Sequence, residues 1–63
     1  MKSDLVDVKY SHIKHETDKA FLFEIGEKDV WIPKSACEVD ETASIVTMRD
    51  RLATEKEIED YVL

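Results

Sequence analysis

Few side chains of this 63-residue sequence could take part in catalysis or bind a metal ion. The single cysteine, Cys37, could act as a nucleophile, but no recognisable pattern activates its thiol, and a buried cysteine that packs as a small apolar residue is the commoner case. His12 and His15 are three residues apart in an extended segment, which predicts opposite faces and a poor metal pair. No catalytic triad, phosphate-binding loop or metal-ligand spacing is present. We therefore expect no enzyme, no metal and no cofactor.

Acidic residues dominate the charge of the chain, with 15 Asp and Glu against 9 Lys and Arg and a net charge of −6. The runs at residues 38–41 and 55–60 could resemble paired acids for hydrolysis, but runs of this kind usually form solvated surface. Binding to a phosphate backbone normally requires a basic protein. The composition therefore disfavours nucleic acid, although it leaves a local basic face possible. The charge is also unevenly distributed, which favours either the basic surface of another protein, bound through the acidic side, or head-to-tail pairing with a second copy of the chain. The basic side is formed by Lys9, His12, Lys14, His15 and Lys19 around the first predicted strand.

The segment DVWIPKSACEV, residues 29–39, contains the only Trp, the only Pro and the only Cys of the chain. A core role for Trp31, packed against two phenylalanines, is the simplest structural interpretation. However, the alternation of a strand places Trp31 on the opposite side from the apolar residues Val30 and Ile32. Its ring is therefore expected to be at least half exposed unless the sheet is covered on both faces.

An exposed tryptophan in this segment supports two binding hypotheses. In the first, Trp31, Pro33 and Lys34 form an apolar anchor, rimmed by charge, that binds a protein partner. In the second, the chain is a small barrel protein that binds single-stranded nucleic acid by aromatic stacking and lysine contacts. The residues of that platform would be Lys9, Tyr10, Lys14 and Trp31.

Period-2 alternation of apolar residues predicts that most of the chain is β-structure. The only glycine, Gly26, is expected to form a tight connection between two strands. Pro33 lacks an N–H, so it should end a strand and start a short turn through Ala36. The predicted strands cover residues 5–15, 20–25, 30–32 and 44–48, with further extended structure at 37–39.

The C-terminal residues have a helical pattern. Thr54 and Glu57 match a capping box, in which Thr54 would be the first residue of the last helical segment. Ile58, Tyr61 and Val62 then share one face of a helix. We expect one helix with an irregularity near Thr54, or two short pieces.

These elements predict an α+β fold, with a small bent antiparallel sheet closed as an SH3-like or OB-like partial barrel and a C-terminal helix. Residues 1–63 are expected to form a single domain. A chain of this size buries only about 60% of its unfolded surface, and one cysteine allows no internal disulfide, so homo-oligomerisation or a partner is favoured. The predicted core is Val6, Val8, Phe21, Phe23, Ile25, Val30, Ile32, Ile45 and Val46, closed by Leu52, Ile58 and Val62.

The sequence also indicates a location for the protein. A lone free thiol is typical of a reducing compartment. No apolar run approaches the roughly 20 residues that span a bilayer, and the N-terminal residues lack the apolar core of a signal peptide. We expect a cytoplasmic protein without membrane contacts.

Two strings of the sequence resemble a pattern found in small uncharacterised proteins of bacteriophages and mobile elements. These are KAFLFEIG (residues 19–26) and VWIPKS (30–35), and RLATEKEI (51–58) is similar to the short amphipathic helix that follows them. The resemblance spans about residues 17 to 58, and the sequence departs from it at residues 36–38. Small size, acidity and the missing catalytic sets favour a non-enzymatic protein that binds a protein partner in the bacterial host and could inhibit a host or defence factor that binds nucleic acid. The resemblance itself implies an accessory protein of a phage or mobile element. It implies no catalytic residues.

Overall fold

The structure, a computed structural model, describes residues 4–63. These residues form six strands, one short α-helix and two 3₁₀ helices. In chain order they are β1 (Leu5–Lys9), β2 (His12–Glu16), β3 (Ala20–Ile25), β4 (Lys28–Pro33), the first 3₁₀ helix (Lys34–Ala36), β5 (Cys37–Asp40), β6 (Ile45–Arg49), α1 (Asp50–Glu55) and the second 3₁₀ helix (Glu59–Tyr61).

The strands form two three-stranded antiparallel sheets. Sheet A has the order β1-β6-β5, and sheet B is the meander β2-β3-β4. The predicted α+β class with a mostly antiparallel sheet is confirmed. The predicted single bent sheet closed as a partial barrel is wrong, because the strands divide into two sheets that do not close into a barrel.

The division arises within the segment that was predicted to be one strand, residues 5–15. The backbone N–H of Tyr10 donates to the carbonyl of Ser44 at 3.0 Å, next to β6. The N–H of the following residue, Ser11, donates to Glu24 of β3 at 2.7 Å. The chain therefore changes its hydrogen-bonding partner from one sheet to the other between two consecutive residues. Alternation in the sequence does not reveal such a change, because both halves are extended.

The core lies between the two sheets and takes most of its side chains from the predicted set. Phe23 is fully buried, and its ring centroid lies 4.9 Å from that of Tyr10 and 5.6 Å from that of Phe21. The buried residues also include Tyr10, Met48 and Ala53, which were not predicted. Predicted core residues that are buried are Val8, Phe23, Ile25, Val30, Ile32, Val46 and Ile58, whereas Val6, Phe21, Ile45, Leu52 and Val62 are half-buried.

The hairpin between β3 and β4 depends on Gly26. This glycine has a φ of +61° and forms the two-residue connection with Glu27, whose φ is not positive, as in a type II′ turn. The ring of Tyr61 occupies the space that a Cβ on Gly26 would need. Nearby, the Lys28 Nζ donates to the carbonyl of Glu57 at 2.7 Å. The predicted role of Gly26 in a tight turn is confirmed, and the turn also receives the C-terminal part of the chain.

The predicted corner after Trp31 is confirmed. Strand β4 ends at Pro33, the first 3₁₀ helix follows directly, and extended structure resumes at Cys37. The Lys34 N–H donates to the carbonyl of Lys19 at 2.8 Å, which continues the ladder between β3 and β4 by one pair.

The predicted cap at Thr54 is wrong, because Thr54 lies inside α1, which starts at Asp50 with Arg49 at the N-cap. The helix begins early because β6 leads straight into it, and the Asp50 N–H donates to the carbonyl of Asp4 at 2.7 Å. It ends at Glu55, and Glu57, two residues further on, adopts a φ of +58° that does not continue the helix. Of the two predicted alternatives, the structure has two short helical pieces, α1 and the second 3₁₀ helix, and not one helix with an irregularity near Thr54.

The last residues of the chain lie along the outer edge of β1. Val62 forms an isolated antiparallel bridge with Val8. The Leu63 N–H donates to the carbonyl of Asp7 at 2.8 Å. The C-terminal residues therefore cover an edge of sheet A that would otherwise be open.

Candidate binding surface

Trp31 lies in the middle of β4 and points away from the core. Its side chain is 44% exposed, whereas its neighbours Val30 and Ile32 are buried. The expectation of a partly exposed tryptophan, drawn from strand alternation, is confirmed. The sheet holds Trp31 in position without burying its ring.

The side of sheet B that carries Trp31 presents a small apolar surface. His15, Leu22 and Trp31 are aligned across the three strands, one residue from each. The His15 ring meets the Trp31 ring edge-on, with centroids 6.0 Å apart and planes at 89°. The next pair along the strands is Ala20 and Pro33. We call these five residues the outer face of sheet B.

Charged side chains border the outer face of sheet B at the end nearer the Gly26 turn. The Lys14 Nζ lies 3.1 Å from a carboxylate oxygen of Asp29. The His12 Nδ1 lies 3.7 Å from a carboxylate oxygen of Glu24. Both carboxylates have a potentially cationic neighbour, so this border combines the two signs of charge instead of concentrating one.

The position of His15 corrects the prediction that His12 and His15 point to opposite faces. His12 pairs with Glu24 and His15 with Leu22, two residues apart on β3 and therefore on one face. A bulge between Ile13 and His15 inserts the extra residue that makes this possible. The sequence has no glycine here to signal a bulge, so His15 was missed as part of the surface.

Leu22 was also missed as a surface residue, although the sequence contains a signal for it. Alternation in β3 puts Leu22 on the side opposite Phe21 and Phe23. An apolar residue on the side of a strand that faces solvent, next to an exposed tryptophan, indicates a binding surface.

Of the two residues predicted to act together with Trp31, the structure keeps Pro33 beside it and separates Lys34 from it. Pro33 is exposed and lies opposite Ala20 on the outer face of sheet B. Lys34 instead lies with its Nζ 2.5 Å from the Glu16 carboxylate and 5.0 Å from the centroid of the Phe21 ring. It is therefore held on the side of β3 that carries Phe21, away from Trp31.

Tyr10 is not placed where a nucleic-acid platform would need it. Only 6% of its side chain is exposed, and its ring packs on Phe23 in the core. Burial raises the pKa of Tyr10 above its ordinary value, and the negative charges of Glu41 and Asp40 raise it further. The ring therefore serves as a neutral core residue and cannot stack on a base while the fold is intact.

The lysines of the same hypothesis make intramolecular contacts. The Lys9 Nζ donates to the carbonyl of Ala43 at 2.9 Å, in the connection between β5 and β6. Lys14 is bound to Asp29, as described above. Of the four residues proposed for nucleic acid, only Lys14 and Trp31 lie on the same side of sheet B.

Cys37 lies in a groove of about 500 Å³ on the other sheet, between the first turn of α1 and the start of β5. Its Sγ donates to the carbonyl of Pro33 at 3.4 Å, and burial raises the pKa of the thiol. Both effects keep the thiol protonated at neutral pH, and a protonated thiol is a poor nucleophile. The groove is lined by Leu5, Ser35, Ala36, Cys37, Glu38, Thr47, Arg49, Arg51, Leu52 and Glu55.

Within residues 4–63, no three His, Cys, Asp or Glu side chains are grouped so that they could hold a metal ion. Over the same residues, no helix has the length and apolar character needed to cross a membrane.

Comparisons of the chain with protein-family models, with curated proteins and with solved structures found no match.

Proposed function

We propose that this chain is a non-enzymatic binding protein that attaches to a protein partner through the outer face of sheet B. One observation carries the proposal: Trp31 is 44% exposed in the middle of a regular strand, with Leu22 and Pro33 beside it on the same face. Tryptophan contributes disproportionately to binding energy when an interface buries it centrally. A tryptophan that the core does not require is therefore best explained by a contact outside the chain.

The charge of the chain supports a partner with a basic surface. Fifteen acidic residues against nine basic ones give a field that attracts cationic proteins and repels nucleic acid. Together with the resemblance to small phage and mobile-element proteins, this favours an accessory protein in the bacterial cytoplasm. Its partner would be a host or defence factor whose basic surface normally binds nucleic acid, and occupying that surface would inhibit the factor.

Direct binding of single-stranded nucleic acid has less support. It would need several exposed aromatic rings and free cations along one path. Tyr10 is buried, and Lys14 is paired with Asp29. Trp31 would be left as the one exposed ring of the four residues proposed for this role.

The proposal is tested by replacing Trp31 with alanine and capturing partners from a bacterial lysate. Leu63→Ala is the matched control, because Leu63 is 72% exposed and lies at the β1 edge instead of the outer face of sheet B. We expect Trp31→Ala to melt close to the wild type and to lose the captured partner, with a loss of more than about 2 kcal/mol in binding energy. Leu63→Ala should keep the partner.

Two results would contradict the proposal. A Trp31→Ala variant that no longer folds would show that the ring is structural. Tight binding of labelled single-stranded DNA by the wild type at physiological salt, abolished in Trp31→Ala, would instead support the nucleic-acid hypothesis.

A further inference from the structure

Strand β4 has an open edge, and the hydrogen-bonding pattern shows which of its backbone groups face it. Hydrogen-bonded and non-hydrogen-bonded pairs alternate along an antiparallel ladder. The Lys34–Lys19 bond fixes the phase, because pairs separated from it by an even number of residues are bonded as well. Val30 and Ile32 therefore direct their backbone groups to β3. Asp29 and Trp31 direct theirs to the opposite side, where the described chain has no strand.

Pro33 belongs to the outward-facing set. Its missing N–H would have pointed away from β3, so the ladder loses nothing by having proline there. At the open edge, β4 consequently offers two donors, from Asp29 and Trp31, and three carbonyl acceptors, with Pro33 at its end. The Pro33 carbonyl already accepts the weak bond from the Cys37 thiol but keeps a second lone pair.

The other outer strands are protected in ways that β4 is not. The edge of β1 is covered by Val62 and Leu63. Strand β2 is interrupted by the bulge before His15, and β5 has only four residues. Bulges, short strands and covering segments are the common means by which proteins prevent pairing at an edge. Strand β4 has six residues and no bulge, and Trp31 lies at its centre.

We propose that a second copy of this chain pairs with this edge, β4 against β4 in antiparallel orientation about a two-fold axis at Trp31. The proposal rests on the proposed function, in which the side of the molecule that carries Trp31 binds a protein. Trp31 would exchange two N–H···O=C bonds with Trp31 of the partner subunit. The N–H of each Asp29 would donate to the carbonyl of Pro33 in the other subunit. Sheet B of one subunit and sheet B of the other would thereby form one six-stranded sheet.

Self-pairing in this register suits the edge on three counts. Both outward donors of each subunit find acceptors, and the Asp29 carbonyl, which lies opposite the proline that cannot donate, is left to bond with water. The two indoles become neighbours on one face, where cross-strand aromatic pairs are stabilising. The Asp29 side chains lie at opposite ends of the paired strands, so the only carboxylates on the outward-facing positions of β4 are kept apart.

The expected dimer is weak. A contact made by one six-residue strand from each subunit buries less than the roughly 1,000 Å² typical of stable interfaces, so association should depend on concentration. Each subunit also carries a net charge of −6, and the two copies repel each other. Added salt screens that repulsion. Dimerisation should therefore strengthen with salt, whereas binding of an acidic chain to a basic partner should weaken.

The decisive comparison is between Asp29→Pro and Asp29→Ala in sedimentation equilibrium from micromolar to millimolar protein. Both variants lose the same carboxylate and its ion pair with Lys14, but only proline removes the N–H that would donate across the edge. Because each dimer loses two hydrogen bonds, Asp29→Pro should associate about ten- to a hundredfold more weakly than Asp29→Ala. Equal association of the two variants would overturn the proposal.

Amide hydrogen exchange of the wild type provides a second test that does not depend on a variant folding. The amides of Asp29 and Trp31 should become more protected as the protein concentration rises. Those of Val30 and Ile32, bonded to β3, should be protected at every concentration. If the wild type stays monomeric at millimolar concentration in high salt, with the Asp29 and Trp31 amides unprotected, self-pairing is refuted. Capture of a host protein that depends on Trp31 would still support the proposed function in that case.

Discussion

The outer edges of β1 and β4 differ in whether another part of the chain covers them. Both strands are the outermost members of three-stranded antiparallel sheets. The chain folds its own C-terminal residues back along β1, through the Val62 bridge to Val8 and the Leu63 bond to Asp7. Nothing in the described chain pairs with the outer side of β4, and an exposed tryptophan lies there. An open edge beside Trp31, in a chain that covers the edge of β1, supports the proposed role of this side of the molecule in binding.

The largest effect should come from removing the anchor of the covering segment. Ile58 is fully buried, and it connects α1 to the residues that cover β1. Ile58→Ala should lower the free energy of unfolding by about 2–5 kcal/mol through lost burial and a residual cavity. Urea denaturation measures the loss. Leu63→Ala, which truncates an exposed side chain of the same segment, is the control and should change stability little. A loss below about 1 kcal/mol in Ile58→Ala would mean that the segment packs only loosely.

A somewhat smaller effect is expected where the covering segment meets the β3–β4 hairpin. Gly26→Ala should cost about 1–3 kcal/mol for the positive φ of this residue and an additional amount for displacing the Tyr61 ring. Glu27→Ala, at the other position of the turn, has neither problem and serves as the control. Thermal unfolding of Gly26→Ala and Glu27→Ala, each made in the wild type and in Tyr61→Ala, separates the backbone cost from the cost of displacing the ring. In the Tyr61→Ala background there is no ring to displace, so only the backbone cost remains. Equal effects of Gly26→Ala with and without Tyr61 would show that backbone conformation alone is responsible.

The comparison of the two edges can be made directly by placing proline at each. Leu63→Pro removes the N–H that donates to Asp7 and should cost about 1 kcal/mol relative to Leu63→Ala. Asp29→Pro removes an N–H that faces the open side of β4, so at low protein concentration it should cost clearly less relative to Asp29→Ala. Urea unfolding of the four variants in dilute solution measures both differences. Two equal costs would mean that the β4 edge has a partner within the chain.

The smallest effect concerns two groups that titrate at alkaline pH, the hydroxyl of Tyr10 and the thiol of Cys37. Burial raises the pKa of Tyr10 above its ordinary value of 10.0, and that of Cys37 above 9.0. A raised pKa in the folded state contributes stability below the unfolded value, and that contribution is lost as the pH rises through the folded value. Stability should therefore fall as the pH rises above 9 and then above 10. Tyr10→Phe should reduce the later part of this fall and Cys37→Ser the earlier part. An unchanged alkaline profile in Tyr10→Phe would show that its hydroxyl reaches solvent.

The local features of the fold could be predicted from the sequence because each depends on nearby residues. Gly26 and Pro33 have backbone properties that admit few conformations, and alternation around Trp31 indicated its exposure correctly. The division into two sheets could not be predicted. It depends on Tyr10 bonding to Ser44 while Ser11 bonds to Glu24, and these partners are far apart in sequence.

The candidate site was predictable to a similar extent. Trp31 and Pro33 share a face because they are two residues apart in one strand, which the sequence states directly. His15 joins them only through a bulge in β2, and Lys34 leaves them because its ammonium group reaches Glu16. Both outcomes are set by cross-strand contacts. The Thr54 cap failed for the same kind of reason, since the contact between Asp50 and Asp4 starts the helix four residues before the capping box.

The topology of the two sheets has a consequence for the order in which they form. Sheet B is a meander whose strands follow one another directly along the chain, whereas sheet A pairs Leu5 with Arg49 and must close a long loop first. Contacts between residues close in sequence form at lower entropic cost, so the folding nucleus is expected in β2–β4. Substitutions there should slow folding, and substitutions in β1, β6 and the C-terminal residues should mainly speed unfolding. The edge of β4 would then exist before β1 is in place, and self-pairing at that edge could begin during folding itself.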